Sequence, residues 1–166
     1  RLSATGVLDT TFATNEVGRP SAPIEDILIQ PDGKLVIVGD FGAYRTTFIN
    51  KIARINSDGS IDPQFQPPSF LGGIPDRVAQ LPGGRLLLAV KSGTTISGAV
   101  LLRDCLIALY TDGTVDLGFT VTPIPSGESF AMLVQSDGKI VVGGSFRTCN
   151  GAPCDFIVRL LPSGAR

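Results

Sequence analysis

A chain of 166 residues amounts to about one domain, and its 14 Lys+Arg against 15 Asp+Glu leave no basic excess for a nucleic-acid partner. It has no His, which excludes Ser-His-Asp and Cys-His catalysis and His-ligated zinc. Its longest apolar run, Cys105 to Tyr110, falls far short of the ~20 residues that span a bilayer as a helix, so membrane insertion is not expected.

The chain opens on Arg1-Leu2-Ser3-Ala4-Thr5-Gly6-Val7-Leu8-Asp9-Thr10-Thr11-Phe12, and this pattern returns. The second copy runs from Arg54 to Phe65, the third from Ala108 to Phe119, and a fourth begins at Arg159. Their marker glycines are Gly6, Gly59, Gly113 and Gly164. A second motif interleaves with the first: Gln30-Pro31-Asp32-Gly33-Lys34 followed by Leu35-Val36-Ile37-Val38-Gly39, repeated from Gln135 to Phe146. Between them lies a worn copy, Leu81-Pro82-Gly83-Gly84-Arg85, followed by Leu86 to Val90. Two motifs in one order, three times over, define repeat units of about 1–53, 54–107 and 108–158 within a single domain 1–166, with a fourth starting at 159–166. An N-terminal Arg rather than Met points to a processed or excised piece.

In the first full unit the elements are four strands, a to d: Ile24–Gln30, Lys34–Asp40, Ile49–Asn56 and Ser60–Phe65. Asp32-Gly33 and Asp58-Gly59 supply the a–b and c–d hairpins, because Gly accepts the positive φ that such turns need. Strand b is apolar at consecutive positions (Leu35, Val36, Ile37, Val38), as is Ile140-Val141-Val142, which implies burial on both faces. Ile52, Leu106, Ile107 and Ile157 of the c strands are expected to be buried as well. A small sheet has both faces covered when it stacks between similar sheets, so the fold expected is all-β: three four-stranded antiparallel meanders stacked as β-propeller blades. A β-solenoid is the rival, with coils that lack paired hairpin turns.

The two motifs together resemble the delta-60 repeat, a bacterial β-propeller repeat of unknown function. The resemblance covers essentially the whole chain, and the middle copy departs from it at Gly83-Gly84-Arg85 and Ala89-Val90-Lys91-Ser92. It implies a segment of a larger secreted or cell-surface bacterial protein, and it implies no activity.

The recurrent Asp9, Asp62 and Asp116 are read as turn-stabilising carboxylates, since a calcium loop needs more oxygen ligands clustered in sequence. Asp32-Gly33-Lys34 and Asp137-Gly138-Lys139 are read as turns, no helix following to complete a phosphate cradle. A glycosidase would need two carboxylates ~5–10 Å apart. Its candidates Glu25, Asp26, Asp76, Glu128 and Asp155 are scattered, and the Trp of a sialidase-type repeat is missing. The expectation is therefore a non-enzymatic interaction module with no cofactor and no metal.

Alternate connections of a meander lie at one end, so the long b–c and d–a loops share a face, the place where function concentrates. That face carries Tyr44, Arg45, Phe70, Asp76, Arg77, Lys91, Glu128 and Arg147. Of these, Tyr44, Arg45, Asp76, Arg77, Lys91 and Arg147 are the candidate residues for a protein or glycan partner. The plain alternative is ordinary solvated loop residues, and a lectin-like propeller is the second functional reading. Cys149 and Cys154 flank a turn-forming Asn-Gly-Ala-Pro and form either a disulfide or two free thiols, while Cys105 lies in an apolar run. Three units are fewer than the ~4–8 blades of a propeller. Either further blades belong to the ring, or two chains form a six-bladed ring, each lending strand Val7–Phe12 to the other.

Overall fold

The computed structural model describes residues 1–10, 12, 20–44, 47–49, 51–70, 72–91, 94–96, 99–101, 105–119, 122–123, 131–149 and 152–166. Among them there is no α-helix. Strands β1 (Ile24–Ile29), β2 (Leu35–Gly39), β3 (Ala43–Tyr44), β4 (Thr47–Phe48) and β5 (Ile52–Ile55) make the first unit. β6 (Ile74–Gln80), β7 (Leu86–Lys91), β8 (Thr94–Ile96), β9 (Ala99–Leu101), β10 (Cys105–Leu109) and β11 (Thr122–Pro123) make the second. The third holds β12 (Ala131–Val134), β13 (Ile140–Gly143), β14 (Thr148–Cys149), β15 (Ala152–Pro153) and β16 (Ile157–Leu160). Three larger antiparallel sheets result, ordered β1-β2-β5, β6-β7-β10-β11 and β12-β13-β16. These are the propeller blades that the repeat forecast.

Register explains how the blades stack. Val36 opposes Arg54 and Val38 opposes Ile52, so these four share one face of the first blade, while Ile37, Ala53, Leu35 and Ile55 share the other. The first set packs with Leu86, Leu88, Val90, Ile107 and Leu109 of the second blade. The opposite face of that blade, with Leu87, Ala89, Leu106 and Ala108, packs with Ile140, Val142, Val158 and Leu160 of the third. A continuous apolar run is thus required: odd and even positions serve different interfaces. The Phe of each Asp-x-x-Phe plugs one of them, Phe65 between blades one and two and Phe119 between blades two and three. Phe12 packs on the outer face of the first blade.

Several expectations need correction. Ile157 is 62% exposed and Val141 only half-buried, because they lie on the outer face of the third blade, which no further blade covers in this chain. Leu35 is also only half-buried. Ser60–Phe65 is not a strand but a single bridge, Ile61 to Ile55, followed by a turn closed by Phe65 N–H on Asp62 C=O. Pro63 cannot donate to a ladder, and the Asp62 carboxylate takes Gln64 N–H. The second unit has the same bridge, Val115 to Leu109, before β11 resumes pairing. Val7–Phe12 likewise offers one bridge, Leu8 to Leu2. The b–c connections are small hairpins of their own, β3–β4, β8–β9 and β14–β15, which no periodicity announced.

The Asp-Gly turns are three-residue rather than two-residue connections. Gly33 N–H donates to Gln30 C=O, and Gly33 itself sits at φ 82° in the left-handed region, which a Cβ would oppose. In the worn copy Gly83 has φ 78° in place of Asp32, giving a type II turn with the same hydrogen bonds.

Candidate functional site

A β-bulge shifts the register of β6 between Pro75 and Arg77, and Asp76 is the inserted residue. Bulges re-aim side chains, and here the carboxylate turns inward, 1% exposed. Ile74 opposes Lys91, which brings the end of β7 beside the bulge. Lys91 Nζ lies 2.9 Å from Asp76 Oδ2, and Arg77 Nη1 lies 3.7 Å from the same oxygen. Neither carboxylate oxygen has a partner in hydrogen-bonding geometry, whereas Arg77 Nη1 donates to the Asp76 carbonyl. Two half-exposed cations over one buried carboxylate give the Asp76-Arg77-Lys91 cluster one net positive charge. It lies at the end from which the b–c and d–a loops leave, as the meander argument required.

The other sequence candidates are placed differently. Tyr44 is buried, and its hydroxyl donates to Gly59 C=O at 3.2 Å, so it fastens the β3–β4 hairpin to the c–d turn. Phe70 is buried in the core between blades one and two. Arg147 stacks on Phe156 with its guanidinium 4.9 Å from the ring centre, on the loop of the third blade. Arg45 and Glu128 lie outside the described residues. Of the carboxylates considered for glycosidase chemistry, Asp26 accepts Val78 N–H at 3.0 Å and Ile27 N–H at 2.9 Å, tying the first blade to the second. Glu25 is exposed in β1 and Asp155 sits in the turn before β16. Cys149 and Cys154 are joined by a disulfide across the β14–β15 hairpin, with Cα atoms 5.9 Å apart.

Asp62 shows what the recurrent aspartates do. Its Oδ2 accepts Lys34 Nζ at 2.7 Å and Arg54 Nε at 2.8 Å. Burial pushes this carboxyl upward, but the bonds from Lys34, Gln64 N–H and Arg54 outweigh it and hold the pKa at about 2. Arg54 also reaches into the next blade, donating to Thr111 C=O at 2.6 Å, and Arg1 does the same to Ser57 C=O. In the second blade Ala108 stands where Arg54 would. Arg85, from the a–b turn, replaces it, bonding Asp116 and reaching Pro162 C=O of the third blade. Burial raises the Asp116 carboxyl, but Arg85, Tyr110 and Gly118 N–H bring it below the usual carboxylate range. Among the described residues no group of three or more Cys, Asp or Glu is placed to hold a metal ion.

A feature that the sequence did not announce lies at the outer rim of the first blade. A cleft of about 270 Å³ opens there beside β5, lined by Phe48, Ile52, Ala53, Pro63, Pro67 and Pro68 among others. Its one legible signal is Pro67-Pro68, which cannot form a strand pair.

Residues 30–65 and 135–166 match a family model described as a domain of unknown function (DUF5122) β-propeller. The two stretches correspond to the first and third units from the a–b turn onward. The worn middle unit, with Gly83-Gly84 and Ala108, lies outside them. Comparison with curated proteins and with solved structures found no match.

Proposed function

We propose that this β-propeller segment, of the delta-60 type, is a non-enzymatic interaction module of a secreted or cell-surface bacterial protein. The observation that carries the reading is the Asp76-Arg77-Lys91 cluster. The buried carboxylate holds two cations at the open end of the second blade, where they offer a positive site to an anionic group of a protein or glycan partner. The Cys149–Cys154 disulfide supports an oxidising compartment. The apolar ends support a second copy as ring partner: Ile27 and Ile29 on the first blade, and Leu133 and Ile157 on the third, are all more than half exposed. In such a ring each chain lends its Val7–Phe12 segment to the other.

The test is an array carrying acidic and neutral glycans alongside acidic and neutral peptides, probed with the chain and with the Arg77→Met/Lys91→Met variant. The reading expects binding to acidic members that the double variant loses. Binding that ignores the double substitution, or turnover of glycosides by the chain, contradicts it.

A further inference from the structure

Among the described residues three arginines lie over phenylalanine rings: Arg1 over Phe12, Arg54 over Phe65 and Arg147 over Phe156. The first two spend their guanidinium groups alike. Each donates to one carboxylate, Asp9 or Asp62, and to one backbone carbonyl of another segment, Ser57 C=O or Thr111 C=O. The Arg147 guanidinium is exposed and bonds neither a carboxylate nor a carbonyl among the described residues. The ring beneath it is held in place by backbone. Phe156 has φ 70° and Asp155 before it φ 23°, so two successive residues with side chains lie in the left-handed region, and Phe156 is still 48% exposed. Such outliers persist only where their surroundings over-determine them, and they gather at binding sites. Here Phe156 N–H donates to Phe146 C=O, Gly144 N–H donates to Phe156 C=O, and Cys154 N–H donates to Arg147 C=O. The Cys149–Cys154 bond closes the same loop. The first blade has this corner at Lys51, with φ 69° and the matching bonds to Phe41 C=O and from Gly39 N–H. There the side chain is itself a cation with the same two kinds of acceptor. Lys51 Nζ donates to Gly72 C=O at 2.9 Å and Gly73 C=O at 3.0 Å, and lies 3.4 Å from Asp40 Oδ1.

We propose that the Arg147–Phe156 pair docks an aspartate-bearing turn of a partner protein, whose carboxylate and backbone carbonyl the guanidinium takes together. A guanidinium laid on a ring presents its N–H fork at its edge, the geometry that a carboxylate answers with both oxygens. A peptide is favoured over a sugar acid because Arg1, Arg54 and Lys51 each combine a carboxylate with a peptide carbonyl. The disulfide and the left-handed corner are positioning parts. They fix the pair before the partner arrives, so less freedom is lost on binding. The proposal rests on the reading of the chain as an interaction module and gives that module a second contact, built on other residues, with one class of partner.

The probe is the end-capped peptide Ser-Ile-Asp-Pro-Gln-Phe-Gln, the sequence of residues 60–66, titrated into the isotope-labelled chain and followed by NMR at the Arg147 Nε–H and the Phe156 ring. The expected result is a saturable shift of both signals. The peptide carrying Asp62→Asn should bind about tenfold more weakly, its charged acceptor being lost. Arg147→Met in the chain should weaken the parent peptide as much, and Arg147→Lys should not restore it, the planar fork being absent. Cys149→Ser/Cys154→Ser should also weaken it while the Val142 and Val158 amides keep their positions, which separates loss of the corner from loss of the fold. Equal affinity for the two peptides, an unmoved Arg147 signal, or tighter binding of a galacturonate trimer than of the peptide overturns the proposal. Perturbation confined to Arg77 and Lys91 also overturns it while leaving the interaction-module reading in place. Loss of array binding in Arg77→Met/Lys91→Met concerns that reading and does not bear on Arg147.

Discussion

Asp62 accepts three hydrogen bonds while 3% exposed, so its charge is an asset only while those donors remain. Its folded pKa, about 2, lies below the 3.8 of the free side chain. The stabilisation is therefore complete above pH ~4 and lost as pH falls toward 2, with a contribution on the order of 1–2 kcal/mol. Chemical denaturation of the wild type should show stability declining over that interval, and Asp62→Asn should flatten the decline while lowering stability at pH 7. Arg85 is the second residue with a double duty. Arg85→Met strands the buried Asp116 carboxylate and cuts the link to Pro162 at once, and should cost about 2–3 kcal/mol in urea denaturation. Lys139, whose partner is the exposed Asp137 in its own turn, should cost under about 0.5 kcal/mol on the same substitution. With Cys149 and Cys154 joined, titration of unreduced, unfolded protein should find a single reactive thiol among the three cysteines.

At the scale of elements, the consecutive apolar positions of β2, β7 and β13 are what make stacking obligatory. Leu88 lies wholly buried between the first two blades, and Leu88→Ala should cost roughly 2–4 kcal/mol. Ile157, in the same kind of run but on an uncovered face, should cost less than about 0.5 kcal/mol as Ala. Equal costs measured by denaturant melts would contradict the stacking order. Strands a, b and c were legible because period-two burial and Asp-Gly turns are local signals. The fourth strand was not: Asp62 and Asp116 divert the chain into side-chain-capped turns, a choice made by Arg and Lys donors from other strands. The b–c hairpins escaped notice because pairs of two or three residues leave no periodic trace. At the site, Asp76, Arg77 and Lys91 were foreseeable as one end of a meander, but the bulge that buries Asp76 was not. Tyr44 and Phe70 were misplaced because nothing in a loop's sequence fixes the direction of an aromatic side chain.

At the scale of the whole molecule, three blades stack by repeating one interface, and each interface is held by an apolar core, a Phe plug and a cation that reaches the next c–d turn. Blade one presents Ile27 and Ile29 at one end, and blade three presents Leu133 and Ile157 at the other. The segment Arg1–Asp9 lies against the first blade, with Arg1 bonded to Asp9 and to Ser57 C=O. Arg159, the counterpart of Arg1 and Arg54, is exposed at the other end. Under the proposed ring, a twofold pair of chains would cover both ends at once. The account's central proposal, that a second copy covers the open ends of these blades, is tested most directly by multi-angle light scattering of the 166-residue chain at micromolar concentration. It predicts a species of twice the 17.4 kDa chain mass; a mass of one chain across that concentration range would contradict it.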